Sequence, residues 1–380
     1  MTKKIRIMHL SANQYQALPA EHHTKNIWHE LSKDCDEYHI VARSNEMTFS
    51  HTIEGKLHLH LVPCLGKRQM VFFLLSFLLP YFFWKYKPTH IIAQCPVLGG
   101  SVAALCKSLF NFRLFTEIHG EHYFKPIRSD FIGKIHHLCF KFITKFTFKR
   151  ADKIRSLSDS MTLLITNTYG HSNANKIAKI PNRVNLKTFN TIKSDYNKDN
   201  ELKIITVGRF SVLKNHLNLI NDLYSSHINC HLTIVGLGNL KEDYKRLAEK
   251  LGCQSQLTIL ENISHEVLSR ELPNNDVYIH YAISEAVPRA ILEAMACGLP
   301  VLATNVGYID DVIEQNVNGV ILNKPYKNDL HTHLSSLFSS TELRQLLGSN
   351  ARESVEKNYE WHLVFDKYRS EIERCGKVDS

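Results

Sequence analysis

A rhythm of short apolar runs separated by helical stretches, present twice, constrains this chain more than any other feature. IRIMHL, YHIVAR, LHLHLVP, HIIAQCP and FRLFTEIH are each strand-length and rich in Ile, Leu, Val and Phe, with amphipathic segments between several of them. The order restarts at LKIITVGRF, HLTIVGLG, LTILEN, DVYIHYA and LPVLATN. Strands that alternate with helices build a parallel sheet covered by those helices, so an α/β fold is expected. TIKSDYNKDNE, residues 191–201, is polar and aperiodic and reads as a linker. The expected organisation is two doubly wound domains, residues 1–190 and 202–358, with a cleft between them. Ligands of such sheets bind beyond the carboxyl ends of the strands.

At 380 residues the chain can bury two cores, and 44% hydrophobic with 22% charged residues is ordinary for a globular protein. Its nine cysteines are scattered and form no CxxC pair, which fits reduced thiols and argues against a disulfide framework or a zinc site. MTKKIRIMHLSA lacks the long apolar stretch of a signal peptide, so a cytoplasmic location is expected. Charge is unevenly placed. Residues 1–190 hold 26 Lys and Arg against 12 Asp and Glu, whereas residues 191–380 hold 20 against 25. The basic half is expected to face something anionic.

Two segments suggest a membrane surface. Met70 to Trp84 is apolar except for Ser76 and is flanked by Lys67, Arg68, Lys85 and Lys87. It is too short to span, with Pro80 read as a break, which leaves an in-plane contact through Phe72 and Trp84 or a buried helix. In SDFIGKIHHLCFKFITKFTFKRAD, helical spacing aligns Lys134, Lys141, Lys145 and Lys149 on one face beside Phe142 and Phe146. The expected partner is an anionic inner membrane surface, with peripheral association. Nucleic acid is not expected, because no recognised binding module accompanies the basic stretch.

SEAVPRAILEAMACGLP, residues 284–300, places Glu293 among Ile291, Leu292, Ala294, Met295 and Ala296. Pro288 suits the first position of a helix, and Gly298 with Pro300 suits its end. A buried carboxylate requires donors, and Arg289 is the nearest in sequence. One reading is a salt-bridged core helix. The other starts from Val287, which cannot cap: the N–H groups of Arg289 and Ala290 are then open to an anion such as phosphate.

SEAVPRAILEAMACGLPVLATNVGYIDDVI resembles the E-x7-E region of glycosyltransferase family 4, whose members are retaining enzymes of the GT-B fold, with two Rossmann-like domains facing across a cleft. VGRFSVLKNH, IVGLGNLKEDYKRLAE, IPNRVNLKTF, EIHG and RADKIRSLSDS extend the similarity over most of residues 90–365. The resemblance implies that Glu293 accepts from the ribose hydroxyls of a nucleotide. It implies that Arg209 and Lys214, in the loop containing Gly208, hold the diphosphate, joined by the helix that begins at Pro288. It also implies that Glu285 and His119 contact the donor sugar, with Gly120 allowing close approach, and that Asn262 and Ile263 meet the base. Residues 359–380 are expected to include a helix that returns to the first domain.

The implied activity is transfer of a hexose from a nucleotide-diphosphate sugar, UDP-linked in preference to GDP-linked, to a glycan or lipid-linked acceptor in surface polysaccharide synthesis. No cofactor is expected, since the nucleotide sugar is a co-substrate, and no metal. Asp34-Cys35-Asp36 spells a DxD but lies far from the donor motif and is read as chance. The alternatives are a nucleotide-sugar epimerase of similar fold and a non-catalytic scaffold of the same fold at the membrane. The chain departs from the family pattern in Ala286-Val287-Pro288, where a Gly-Phe-Gly relative is common, in Arg183, and in a first loop, SANQYQALPAEHHTKN, that has no glycine.

Overall fold

A computed structural model of the chain describes residues 4–15, 23–44, 49–63, 78–120, 123–124, 126, 130–194, 196, 201–225, 228–324 and 326–375. It divides into two compact units, Met1–Pro181 with Phe365–Ser380, and Asn182–Val364.

In the first unit, β1 (Arg6–Tyr15), β2 (Glu37–Ser44), β3 (Ser50–Glu54), β4 (Leu57–Val62), β5 (His90–Ala93), β6 (Arg113–Glu117), β7 (Lys153–Ser156) and β8 (Ile177–Lys179) form one sheet. Its order is β3-β4-β2-β1-β5-β6-β7-β8. All neighbours are parallel except β3 and β4, which pair antiparallel. The interior strands are mostly apolar, as buried parallel strands are, and Ile40, Ile91, Ile92 and Leu114 are fully buried. β3 is exposed along its whole length, as an edge strand can be.

The charged groups buried at the end of β6 are paired. Glu117, the last residue of β6, is buried and accepts from Arg155 Nη1 at 3.0 Å, from the hydroxyl of Tyr368, and from His119 Nε2 at 2.7 Å. Burial pushes its carboxyl up, but Arg155 and His119 outweigh that and hold it well below the usual carboxylate range. Tyr368 lies on the helix Trp361–Glu373, whose Arg369 also pairs with Asp34 at 2.7 Å. Asp36 accepts the Ile5 N–H at 2.8 Å, so both acids of the DxD triplet are taken up by local structure. On β2, β3 and β4 four histidines cluster, with His39 Nδ1 3.0 Å from His60 Nε2 and the His51 and His60 rings stacked at 4.3 Å.

Residues 78–86 are helical, so Pro80 does not break the chain there. Leu79, Phe82 and Phe83 enter the core, whereas Tyr81 and Trp84 are exposed. Phe72 lies outside the described residues. The stretch around Lys134 is a helix, Phe131–Arg150, with Asp130 capping the N–H of Gly133. Lys134, Lys141, Lys145 and Lys149 are all exposed. Phe142 is 76% exposed, but Phe146 is half-buried with the Arg150 guanidinium 5.6 Å from its ring centre. Sequence reading missed the exposed Phe131, Ile135 and Leu138, which join Phe142 in a stripe at spacings of four, three and four.

The second unit holds an all-parallel sheet of β9 (Leu202–Val207), β10 (Cys230–Gly236), β11 (Leu257–Glu261), β12 (Val277–His280), β13 (Val301–Thr304) and β14 (Val320–Leu322), in the order β11-β10-β9-β12-β13-β14. Its direction of growth reverses between β9 and β12, and a doubly wound sheet opens a crevice at that place. The unit starts at Asn182, ahead of the expected boundary at residue 190. Asn182 Nδ2 donates to the Val287 carbonyl at 2.7 Å. The polar segment from 191 is anchored as well, with Lys193 buried against Asp276 at 3.1 Å and the Tyr196 hydroxyl donating to the Gly298 carbonyl at 2.9 Å.

Candidate active site

A cavity of about 510 Å³ opens in the second unit at the carboxyl ends of β9, β10, β11 and β12. Gly208 and Arg209 follow directly on β9, and Lys214 lies on a short 3-10 turn beyond them. A Cβ on Gly208 would lie 3.1 Å from Lys214 Cδ, so the lysine stem packs over the glycine. The glycines of IVGLG, weak as a sequence signal, have a definite steric role. A Cβ on Gly236 would sit 1.9 Å from the Gly208 carbonyl oxygen, so the two loops approach this closely only because Gly236 has no side chain.

The helix of the E-x7-E segment spans Arg289–Ala296. It begins one residue later than the sequence suggests, because Pro288 is extended at φ −72°, ψ 126° and occupies the cap position. No side chain caps its first turn, and Gly298 ends it with φ +72°. Pro288, Arg289 and Ala290 line the cavity. Glu293 lines it too and is only 7% exposed. Burial pushes its carboxyl up, opposed by His265 and Arg289, and His265 Nδ1 is 3.8 Å away, beyond hydrogen-bond reach. A carboxylate so placed is under-partnered as it stands.

Glu285 lies in the loop after β12 and forms an ion pair with Lys214. Burial pushes its carboxyl up, while His280 and Lys214 pull it down to about 2. The loop is pinned from behind. Tyr308 N–H donates to the Ala286 carbonyl at 3.1 Å, and Gly307 comes so close that a Cβ would be 2.0 Å from the Glu285 carbonyl oxygen. Asn262, in the left-handed region at φ 53°, and Ile263 form the turn after β11 on the same cavity wall.

The structure therefore brings Gly208, Arg209, Lys214, Asn262, Ile263, Glu285, Pro288, Arg289, Ala290 and Glu293 to one cavity. Sequence reading missed His265, the residue after the Ser264 cap, and Asn182 on its wall. It also missed His280, buried behind Glu285. His119 and Gly120 belong to the first unit, after β6, where Glu117 orients the imidazole. Among the described residues, no three His, Cys, Asp or Glu side chains are grouped so as to hold a metal ion.

Apart from Asn182, the cavity lining falls within residues 188–354, which match the family model described as glycosyl transferases group 1. A glycosyltransferase of Methanocaldococcus jannaschii is 25% identical over 68% of this chain and 68% of its own length. The matches to three other relatives span from 32% to 48% of those proteins' own length. In structure it is similar to sucrose-phosphate synthase from Thermosynechococcus elongatus, with a TM-score of 0.80 at 17% identity over 96% of this chain and 98% of that one. It is also similar to Anabaena HepE, solved in complex with UDP, with a TM-score of 0.75 at 16% identity over 97% and 100%. The two parallel-sheet units thus have the GT-B fold, and the chain is a glycosyltransferase.

Proposed function

We propose that the protein is a retaining transferase that moves a hexose from a nucleoside-diphosphate sugar, UDP-linked first, to a glycan or lipid-linked acceptor of a surface polysaccharide. Glu293 carries the reading. Its buried carboxylate faces the cavity with burial opposing its charge, and the vicinal hydroxyls of a ribose are the donors it lacks. Arg209, Lys214 and the uncapped first turn at Arg289 and Ala290 supply cations and N–H groups for the diphosphate. Asn262 and Ile263 meet the base. Glu285, and His119 held by Glu117, orient the sugar.

In the proposed step the bond from the anomeric carbon to the diphosphate oxygen breaks as the acceptor oxygen bonds that carbon from the same face. The acceptor proton passes to the departing diphosphate, whose charge Arg209 and Lys214 stabilise. No carboxylate nucleophile is assigned. UDP in the related Anabaena structure supports the choice of uridine first.

The exposed stripe of Phe131, Ile135, Leu138 and Phe142 beside Lys134, Lys141 and Lys145 supports peripheral attachment to an anionic membrane. Among the described residues, no helix is long and apolar enough to cross a membrane. The deciding experiment incubates the protein with a panel of nucleotide sugars and measures nucleoside diphosphate release and the anomeric coupling of any product. Release from a UDP-hexose with retained configuration is expected. An inverted product defeats the retaining assignment, and release from none of the panel defeats the donor class.

A further inference from the structure

Glu285 faces two nitrogen groups. One is Lys214, with which it is ion-paired, and the other is His280, whose Nε2 lies 3.6 Å from the same carboxylate oxygen. His280 is the last residue of β12, is 2% exposed, and has its Nδ1 3.4 Å from the Tyr278 hydroxyl. Its Nε2 is buried and has no hydrogen-bond partner among the described residues. A separation of 3.6 Å is too long for a hydrogen bond, but a carboxylate movement of roughly half an ångström would make one. An orphaned ring nitrogen facing a carboxylate that is already ion-paired on its cavity side points to a second arrangement of this site.

We propose that Lys214 is shared between two anions: in the empty cavity it pairs with Glu285, and an incoming diphosphate draws it away, leaving the buried imidazole of His280 to hold the Glu285 carboxylate. This rests on the reading of the cavity as a diphosphate site. Lysine suits the exchange because its ammonium sits on a flexible four-carbon stem, packed here over Gly208. His280 suits the receiving role because it stays neutral. Burial lowers its pKa, Lys214 lowers it further, and Glu285 opposes them. The handover uses the tautomer with the imidazole proton on Nε2, facing Glu285; Nδ1 then accepts from the Tyr278 hydroxyl at 3.4 Å, in place of that hydroxyl's 3.5 Å bond to the Val207 carbonyl. Of the other titratable neighbours of His280, Tyr278 is raised by burial and stays protonated, and His216 is pushed down to about 3 by burial first, then by His280 and Lys214, so it too is neutral. His280 touches neither nucleotide nor sugar and is therefore a positioning residue.

The proposal separates from a packing role by proton counting. Calorimetric titration with UDP, and in parallel with GDP, at pH 6 in two buffers of different ionisation enthalpy reads affinity and protons taken up together. UDP carries no transferable hexose for Glu285 to touch, so Glu285→Gln should free Lys214 and tighten UDP severalfold. In His280→Leu, removing Lys214 strands the carboxylate. UDP should then bind severalfold more weakly and take up as much as one proton more than in the wild type. The double variant His280→Leu, Glu285→Gln should lose both effects, and His280→Gln, which keeps an N–H, should take up no extra proton. Equal affinity and proton count in His280→Leu and the wild type would overturn the handover, as would a weakening that persists in the double variant. If His280→Leu does not fold, Glu285→Gln alone decides, since unchanged or weaker UDP binding there refutes sharing of Lys214. Failure of the wild type to bind either nucleotide would instead remove the diphosphate reading, and this inference with it.

Discussion

Replacing Glu293 with Gln should move two measurements in opposite directions. In the free protein the buried carboxyl is pushed above its ordinary value by burial, with His265 and Arg289 only partly compensating. A carboxyl with a raised folded-state pKa binds more protons folded than unfolded, so its contribution to stability declines as pH rises from the ordinary carboxylate range through the folded value. The carboxyl is therefore a net cost at every pH above the ordinary carboxylate range, and an isosteric amide removes that cost. Relief of an under-partnered buried group is worth about 1–3 kcal/mol, and a unit the size of Asn182–Val364 gains about 2–4 °C per kcal/mol. Scanning calorimetry of the free protein at pH 7.5 should therefore show Glu293→Gln melting several degrees higher, with the difference vanishing in acid. UDP titration should show the reverse, because hydrogen bonds to a charged acceptor contribute about 1.5–3 kcal/mol, or roughly ten- to hundredfold in Kd. A variant that melts lower and binds UDP as before would return Glu293 to a salt bridge with Arg289 inside a core helix and refute the ribose assignment.

Vesicle co-sedimentation should rise with anionic lipid content and fall when Lys134, Lys141, Lys145 and Lys149 become Gln, each lysine near the surface being worth about 1 kcal/mol; Phe142→Ser should weaken what charge removal leaves. Turnover should continue in the presence of a chelator, with Arg209 and Lys214 supplying the positive charge, and activity lost to chelation and restored by magnesium would contradict this. Tyr368→Phe removes a hydroxyl from the buried Glu117 carboxylate and should cost about 1–3 kcal/mol in thermal unfolding; an unchanged melting point would count against that contact. Burial lowers His39 to about 4 and His60 to about 3, aided by His51 and His58 at both and by Lys85 at His60 and opposed by Glu37 at His39. Because the unfolded chain binds the extra protons, stability should fall as pH drops below about 6.5, by about 1.4 kcal/mol per pH unit for each histidine. Changing both to Leu should flatten that slope in acid unfolding curves, and a slope unaltered by the double change would place the acid sensitivity elsewhere.

The parts of the fold legible in the sequence are those where burial leaves a compositional mark. β1, β2, β9, β10 and β13 are largely buried parallel strands, so they appear as mostly apolar runs. SHTIE, which forms β3, carries no such mark because all its residues face solvent, and β8 and β14 are three residues long. The stripe of Phe131, Ile135, Leu138 and Phe142 was hidden for the opposite reason. Apolar residues at helical spacing indicate that a face is apolar, and only tertiary packing decides whether that face is covered.

The same distinction separates the groups that meet a ligand from those that hold them. Glu285, Glu293, Arg209 and Lys214 sit in a contiguous pattern that can be compared between proteins, whereas the contact that fixes His119 begins with Tyr368, 251 residues from Glu117. Such partners still have a local signature. Glu117, Glu261 and His280 are each the last residue of their strand, β6, β11 and β12, and each is a polar group ending a mostly apolar run. The ligand side of a doubly wound sheet is the carboxyl end of its strands, so a polar residue is worth burying there when it orients a group that reaches out of the sheet. Glu117 does this for His119, and Glu261 pairs with Lys241 beside the Asn262 turn. His280 stands in the same relation to Glu285 but has not closed its hydrogen bond, which makes that contact the part of the site expected to change when a diphosphate arrives.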